Sequence, residues 1–248
     1  MRLYEPLWRQ ARVGWAKVLP TLRFVRHHGL TVQVGPFTGL RYPRSALAHV
    51  PALVPRLAGT YELELHSLVE ELVGLDPAFV VNIGAGDGYY AAGMALRCPG
   101  ARVVAFESDP YHARTCSQVA RVNRVAERVD VRGLCTAAAL AELEAPRGTV
   151  VICDCEGDET ELIDASRVEW LRHAVLLVET HRDIARQELA GRLDATHSLD
   201  FIAPAHRYVG EHELLLNTPG LRHVDWEILM TELRPWPTPW LWAVPRQP

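Results

Sequence analysis

A chain of 248 residues, 48% hydrophobic and 23% charged, is long enough for one large α/β domain or for a domain with an extension, and this composition excludes a disordered chain. The net charge of -4 supplies no global basic field, and no stretch approaches the roughly 18 apolar residues of a membrane span, so we expect neither nucleic acid nor a membrane as a partner. Five cysteines without a CxxC spacing predict a reduced, cytoplasmic setting.

The first part of the chain lacks any alternation of strands and helices and contains prolines at six positions. We therefore predict an N-terminal extension over residues 1–75 that covers the cofactor or substrate pocket. Its opening segment interleaves arginines with Trp8, Val13 and Trp15, which predicts an amphipathic helix. Residues 76–248 are predicted to form the cofactor-binding domain.

From about residue 78, short apolar runs alternate with helix-compatible segments, the pattern of βαβ units that build a parallel sheet. The runs are continuous and rich in Val and Ile, as expected of strands buried on both faces. They predict five parallel strands, at Phe79–Ile83, Val103–Phe106, Val129–Leu134, Val150–Cys153 and Val175–Val178. Helices are predicted at Tyr89–Arg97, Tyr111–Arg124, Ala137–Leu143, Glu159–Leu171 and Ile184–Leu193.

The alternation of single strands with single helices ends after Thr196. There the sequence predicts a strand to Ala203, a helix near Trp226–Leu233 and a last strand at Leu241–Val244. We expect the added strands to be antiparallel and to close a mostly parallel, seven-stranded sheet flanked by helices.

A glycine-rich turn, Gly84-x-Gly86-x-Gly88, joins the first predicted strand to the first helix after it. Glycine permits a positive φ and has no Cβ, so that backbone N–H groups and the helix N-terminus can approach a ligand. The dinucleotide fingerprint GxGxxG would require a glycine where this chain has Tyr89, and the P-loop pattern is absent. Both nucleotide-phosphate interpretations are therefore disfavoured.

Glu107 ends the second predicted strand, 21 positions after Gly86 (107 minus 86). A carboxylate at that place can accept hydrogen bonds from both hydroxyls of a ribose. The spacing suits NAD and S-adenosylmethionine equally. Because the preceding turn lacks the third dinucleotide glycine, we favour S-adenosylmethionine as the cofactor.

Successive segments of the chain resemble the ordered motifs of FkbM-type methyltransferases. The segments are Asn82–Tyr90, Ala105–Pro110, Asp154–Glu159 and Val178–His181, with Gly59–Glu62 similar to the stretch that precedes the core in such enzymes. The resemblance implies a Rossmann-like class I methyltransferase fold. It also implies an S-adenosylmethionine-dependent transferase that acts on small molecules or sugars in natural product biosynthesis.

The chain departs from the family pattern at two places. Asn82 stands where the pattern usually has Asp, and Gly133-Leu134-Cys135 stands where many class I enzymes have an acidic residue for adenine. We expect adenine to be held by backbone groups and apolar packing instead. The predicted cofactor-binding residues are Asn82, Gly84, Ala85, Gly86, Asp87, Gly88, Tyr89, Glu107, Ser108, Leu134, Cys135 and Asp154.

Three polar side chains follow the fourth and fifth predicted strands: Asp154, Glu179 and His181. The carboxyl ends of parallel strands meet at one crevice, so we predict that these three are catalytic. His181 is the first choice for a general base, and Asp154 is expected to orient cofactor or substrate. The same trio could hold a divalent metal ion, but catalysis without a metal is the simpler hypothesis.

Substrate contacts are predicted from the flanking segments and from an acidic run after the fourth strand. Dipole complementarity at a helix start explains most of that run, Glu156, Asp158, Glu159 and Glu161, without a function. The residues predicted to contact substrate are Tyr61, Glu62, Glu156, His197, Glu232 and Arg234.

These features predict O-methylation of a small molecule. N-methylation of an amine or guanidinium substrate stays open, because the clustered acids could receive a cation. A noncatalytic Rossmann-like module that binds a nucleotide or a partner protein is a further alternative, suggested by Asn82 and Leu134. Acids at the mouth of the crevice would repel phosphate, which ranks a nucleic-acid methyltransferase last. Homo-oligomerisation stays open.

Overall fold

The structure, a computed structural model, describes residues 7–181, 183–205, 213–230 and 238–246, with backbone alone at 7–15, 48–52, 183 and 215. The chain divides into two compact units. Met1–His66 and Ala205–Pro237 form the first unit, and Ser67–Pro204 and Thr238–Pro248 form the second. The predicted division at residue 75 differs from this one, since the segment Ala205–Pro237 groups with the N-terminal residues. That residues 1–75 cover a pocket stays a prediction.

The second unit is built on a seven-stranded sheet in the order β3-β2-β1-β4-β5-β7-β6. β1 to β5 pair in parallel, and β7 runs antiparallel between β5 and β6. The predicted fold class, a mostly parallel seven-stranded sheet flanked by helices, is therefore confirmed. The strands are β1 Phe79–Ile83, β2 Arg102–Phe106, β3 Val129–Arg132, β4 Val150–Cys153, β5 Val175–Glu179, β6 His197–Ile202 and β7 Trp240–Pro245.

The hydrophobic core explains why these runs form strands. All residues of β4 and β5 are buried, as expected of central strands covered by helices on both faces. β3 lies at the sheet edge and ends at Arg132, two residues before the predicted end. Leu134 was predicted to belong to this strand, but its exposed fraction is 68%, because the chain leaves the sheet at Gly133.

Helices α3 to α8 flank the sheet. They span α3 His66–Gly74, α4 Tyr89–Arg97, α5 Pro110–Val122, α6 Ala137–Ala141, α7 Glu159–Leu162 and α8 Asp183–Leu193. The start of α5 is capped by a side chain: the Asp109 carboxylate accepts hydrogen bonds from the backbone N–H groups of Tyr111 and His112, at 2.7 and 3.0 Å, and Pro110 opens the helix.

The prediction of one helix over Glu159–Leu171 is wrong. The chain forms the short α7 and then a separate 3-10 turn, Glu169–His173. Between them, Asp164 accepts hydrogen bonds from the backbone N–H and the hydroxyl of Ser166, at 2.8 and 2.7 Å. A side chain that bonds nearby backbone in this way competes with helical hydrogen bonding, which accounts for the break.

The first unit is mainly helical. Its helices are α1 Leu7–His28, α2 Val50–Leu57, α9 Glu213–Leu216 and α10 His223–Met230, and α1 packs against α2 and α10. His28 Nε2 lies 2.8 Å from the Thr218 hydroxyl, and Arg23 donates to the carbonyl of Gly220 at 3.0 Å. The predicted N-terminal helix is thus present. Among the described residues, no helix is long and apolar enough to cross a bilayer.

The inserted strand β7 allows a direct test of the sheet. Leu241 is fully buried between β5 and β6, so Leu241→Ala should lower the free energy of unfolding by about 2–5 kcal/mol. Ile184→Ala, at an exposed position of α8, is the control and should change it by less than about 0.5 kcal/mol. Chemical denaturation measures both, and equal losses would contradict the position of β7.

Candidate cofactor and acceptor site

Two glycines of the turn after β1 are required by the packing of the protein itself. Gly84 and Gly88 have φ angles of 73° and 92°, in the left-handed region. A Cβ added to Gly84 would lie 1.6 Å from the carbonyl oxygen of Asp154, and one added to Gly88 would lie 2.9 Å from the Sγ of Cys116. The turn therefore presses against the chain that follows β4 on one side and against α5 on the other.

Gly86 differs from its two neighbours in the turn. Its φ is 54°, but an added Cβ would meet no described atom within 4 Å. Its backbone N–H donates to Oε2 of Glu107 at 2.7 Å. The turn thus leaves open space beside the carboxylate that was predicted to bind a ribose.

Glu107 is buried at the end of β2 and keeps acceptor capacity. Its Oε1 accepts a second hydrogen bond, from the backbone N–H of Asp109 at 2.8 Å. An ionised carboxylate offers about four acceptor positions. Oε2 lies beside the open space at Gly86, and both oxygens can accept further hydrogen bonds, as binding of two vicinal hydroxyls would require.

Asn82, the first departure from the family pattern, carries an orphaned acceptor. Its side chain is 1% exposed, and its Nδ2 donates to the carbonyl of Ile152 at 3.2 Å. Its Oδ1 is buried and has no hydrogen-bond partner among the described residues. An amide oxygen in this state can accept a hydrogen bond from a donor group of a bound ligand.

The other predicted cofactor residues differ in accessibility. Asp87 and Tyr89 are buried, and Ser108 is exposed beyond β2. Leu134 is exposed and Cys135 is half-buried after β3. Burial raises the pKa of the Cys135 thiol to about 12, so this side chain offers an uncharged surface. An apolar pair at this place agrees with the expected apolar packing of adenine, which stays a prediction.

A second group of polar side chains lies where β4 and β5 end. The backbone N–H of Asp154 donates to the carbonyl of Ile83 at 2.9 Å and extends the pairing of β1 with β4. Glu179 is buried at the end of β5 and accepts a hydrogen bond from the hydroxyl of Thr238. The hydroxyl of Thr180 donates to the carbonyl of Pro239 at 2.7 Å, which ties this end of β5 to the start of β7.

His181 lies at the centre of four carboxylates. Its Nδ1 is 2.7 Å from Oε1 of Glu159. Its Nε2 is 3.5 Å from Oδ1 of Asp154, 3.4 Å from Oε2 of Glu156 and 3.4 Å from Oε2 of Glu179. The structure therefore brings the three predicted catalytic residues together. The predicted substrate residue Glu156 lies beside them.

The charges of this cluster shift the titration of its members. Burial lowers the pKa of His181, but the hydrogen bond with Glu159 and the charges of Glu179, Glu159 and Glu156 outweigh it, so the pKa is raised. Burial raises the pKa of Glu159, but the hydrogen bond from His181 and backbone N–H groups outweigh it, so that pKa is lowered. Both partners thus favour their charged forms.

Glu159 is the site residue that sequence reasoning missed. It was assigned with its acidic neighbours to a helix start, whereas its side chain is fully buried under His181. No spacing distinguishes it from Asp158 or Glu161. A signal was present only in the chemistry, because a buried carboxylate requires a partner and the chain supplies a histidine after the next strand.

The position of His197 does not fit its predicted role in substrate binding. It begins β6, at the edge of the sheet opposite to the carboxyl ends of β4 and β5, and its ring is fully buried. Its Nε2 lies 3.1 Å from the carbonyl of Ala174, which precedes β5. His197 lies at the far edge because β6 and β5 both pair antiparallel with β7 and therefore run in the same direction.

The remaining predicted substrate residues lie outside the second unit or outside the described residues. Tyr61 and Glu62 belong to the first unit, where both are buried and Glu62 has a left-handed backbone with φ of 46°. Their substrate contact stays a prediction. Glu232 and Arg234 lie outside the described residues.

Three side chains lie close enough together to bind a metal ion, and they differ from the predicted trio by one residue. Ligand atoms of Asp154, Glu156 and His181 lie within 4.8 Å of one another, whereas the predicted trio had Glu179 in place of Glu156. Two carboxylates and an imidazole suit a divalent ion. A metal ion at this place stays a prediction, and catalysis without one stays the simpler hypothesis.

No family model matches this chain, and no curated relative matches it. Solved structures do match. A putative O-methyltransferase from Klebsiella pneumoniae is 13% identical, with 93% of this chain and 90% of that chain covered and a TM-score of 0.48. The O-methyltransferase from Bacillus cereus in complex with SAH is 15% identical over 71% and 78%, with a TM-score of 0.47. An rRNA methylase from Streptococcus thermophilus is 14% identical over 74% and 97%, with a TM-score of 0.49. These similarities are weak, and the fold assignment rests on the strand order instead.

The two kinds of glycine in the turn should respond differently to a methyl group. Gly84→Ala forces a Cβ onto a backbone carbonyl and should cost more than about 3 kcal/mol of unfolding free energy. Gly86→Ala meets no atom and should cost only the left-handed strain, about 1–2 kcal/mol. Thermal and chemical denaturation of both variants provide the measurement. A Gly86→Ala variant as unstable as Gly84→Ala would show that the space beside Gly86 is filled by the protein.

Proposed function

We propose that the chain is an S-adenosylmethionine-dependent methyltransferase that acts on a small-molecule acceptor, with O-methylation favoured. The observation that carries the proposal is the open space at Gly86 beside the Glu107 carboxylate. A ligand that carries a ribose, and that has little bulk where it faces the turn, would fit there. The resemblance to FkbM-type enzymes supports specialised or sugar metabolism as its setting, and the free cysteines support a cytoplasmic one.

The residues around the site can each be given a task in such a reaction. When bound, S-adenosylmethionine supplies a methyl group that is already electrophilic, so the protein needs to align the acceptor and to receive its proton. Glu107 would hold the ribose, and the Oδ1 of Asn82 would accept from the ammonium group. Asp154 would orient the acceptor, whose proton would pass to Nε2 of His181.

Catalysis, rather than binding alone, is supported by the placement of the charged cluster. Parallel sheets bind ligands at the carboxyl ends of their strands, and the three predicted catalytic residues meet at that edge. An imidazole is thus placed where an acceptor molecule would meet the cofactor, and binding of the cofactor alone does not require a proton acceptor there.

N-methylation is the second candidate, and one observation favours it. Carboxylate oxygens of Asp154, Glu156 and Glu179 surround Nε2 of His181 at 3.4–3.5 Å, and together they would attract an amine or guanidinium group. The same negative field disfavours a nucleic-acid acceptor, because it repels phosphate.

The cofactor assignment can be tested by isothermal titration calorimetry with S-adenosylhomocysteine and S-adenosylmethionine on cofactor-stripped protein. Wild type should bind both, and Glu107→Ala should bind roughly 10- to 100-fold more weakly because charge-assisted hydrogen bonds to the ribose are lost. Glu144→Ala, an exposed carboxylate in a loop of the same unit, should bind like wild type.

A melting curve should accompany each titration, because Glu107 also holds the backbone of Gly86 and Asp109. If folded wild-type protein binds neither compound, the proposed function is wrong. If Glu107→Ala binds as tightly as Glu144→Ala, the ribose lies elsewhere.

A further inference from the structure

The carboxylate beneath His181 is held in an unusual environment. Glu159 is fully buried at the first position of α7, where burial of a charge is costly unless hydrogen bonds compensate for it. Its Oε1 receives three donors: the backbone N–H of Gly157 at 2.9 Å, Nδ1 of His181 at 2.7 Å and the Sγ of Cys155 at 3.7 Å. A carboxylate with this set of donors is stabilised as the anion.

An anionic carboxylate accepts hydrogen bonds and cannot donate them. The 2.7 Å contact therefore requires a hydrogen on Nδ1 of His181. In the neutral imidazole only one nitrogen carries a hydrogen, so Nε2 is left with its lone pair. Glu159 thus selects one of the two tautomers of the ring.

The lone pair of Nε2 points away from Glu159 and toward the end of β4 and β5. The oxygens of Asp154, Glu156 and Glu179 lie 3.4–3.5 Å from it, beyond the roughly 2.7–2.9 Å of a charge-assisted hydrogen bond. Of the four carboxylates around the ring, Glu159 makes the shortest contact. The His181 side chain is 16% exposed, so solvent or an acceptor can reach it.

We propose that Glu159 is the positioning residue for His181: it holds the ring in the Nδ1–H tautomer and presents Nε2 to the acceptor as the proton-accepting atom. This inference rests on the proposed function and adds a residue that takes no part in cofactor binding. Because the buried Glu159 carboxylate holds Nδ1, the imidazole of His181 need not reorient when Nε2 accepts the proton.

The proton transfer balances around this pair. The acceptor oxygen forms its bond to the methyl carbon as the bond from that carbon to sulfur breaks, and the electron pair of the broken bond stays on sulfur. The acceptor proton passes to Nε2 while the Nδ1 hydrogen stays in place. The resulting imidazolium is stabilised by Glu159 on one side and by Asp154, Glu156 and Glu179 on the other, and it returns the proton to solvent through Nε2.

The charged groups that face the ring are Asp154, Glu156, Glu159 and Glu179, all of one sign. Glu159 is the one of these four that contacts Nδ1, so removing its carboxylate should release the tautomer. Removing an acid of the same helix that does not face the ring should leave the tautomer unchanged.

The test is two-dimensional ¹H–¹⁵N correlation NMR of the histidine ring nitrogens in the full chain, with EDTA present and pH varied. The signals are assigned by their loss in His181→Gln. In wild type, the alkaline form of His181 should show a protonated Nδ1 and an unprotonated Nε2. In Glu159→Leu, which leaves no acceptor for the Nδ1 hydrogen, the ring nitrogens should lose the single-tautomer pattern. Glu161→Leu, on the exposed side of α7, should match wild type.

Two results would overturn the inference: an Nε2–H tautomer in wild type at the alkaline limit, or the wild-type tautomer in a folded Glu159→Leu variant. If Glu159→Leu does not fold, the wild-type tautomer still decides the matter. Calorimetry with S-adenosylhomocysteine keeps this test apart from that of the function, because Glu159→Leu should bind it within about threefold of wild type. Absence of binding in wild type would refute the function and would leave the tautomer measurement valid.

Discussion

The site depends on the close approach of two chain segments at one edge of the sheet. The carbonyl of Asp154 occupies the place where any side chain on Gly84 would begin, and the backbone N–H of the same Asp154 donates to Ile83. The glycine turn after β1 and the acids after β4 are therefore joined by backbone contact. Because backbone positions are set by the sheet, the distance between the proposed cofactor site and these acids is set with them.

The second constraint is the burial of charge around His181. Several carboxylates in a partly buried cluster repel one another, and the imidazole is the group that offsets this repulsion by favouring its protonated form. Two neighbouring strands position this cluster. Helix α7 follows β4, and Glu179 ends β5, where it accepts a hydrogen bond from Thr238 just before β7. Strand β7 thus supports the acidic cluster as well as the core.

Much of the fold could be predicted because central parallel strands are buried on both faces and leave continuous Val- and Ile-rich runs. β1 and β4 were predicted with their observed bounds for this reason. The prediction of a helix over Glu159–Leu171 was wrong because a local turn at Asp164 competes with helical hydrogen bonding. Helix propensities do not predict such a hydrogen bond between a side chain and the nearby backbone. The position of His197 could not be predicted because the direction of β6, and therefore the edge of the sheet where it begins, is decided by long-range pairing with β7. Glu159 could not be separated from Glu161 by spacing, since only tertiary packing decides which acid of a helix start is buried.

The central claim is that the open space at Gly86 and the Glu107 carboxylate hold the ribose of S-adenosylmethionine, with the sulfur facing the acids that follow β4 and β5. A crystal structure of the complex with S-adenosylhomocysteine tests it most directly. The account predicts both ribose hydroxyls within hydrogen-bond distance of Glu107, with the sulfur on the side of Asp154 and His181. A cofactor bound away from the glycine turn, or with its sulfur turned from that cluster, would contradict it.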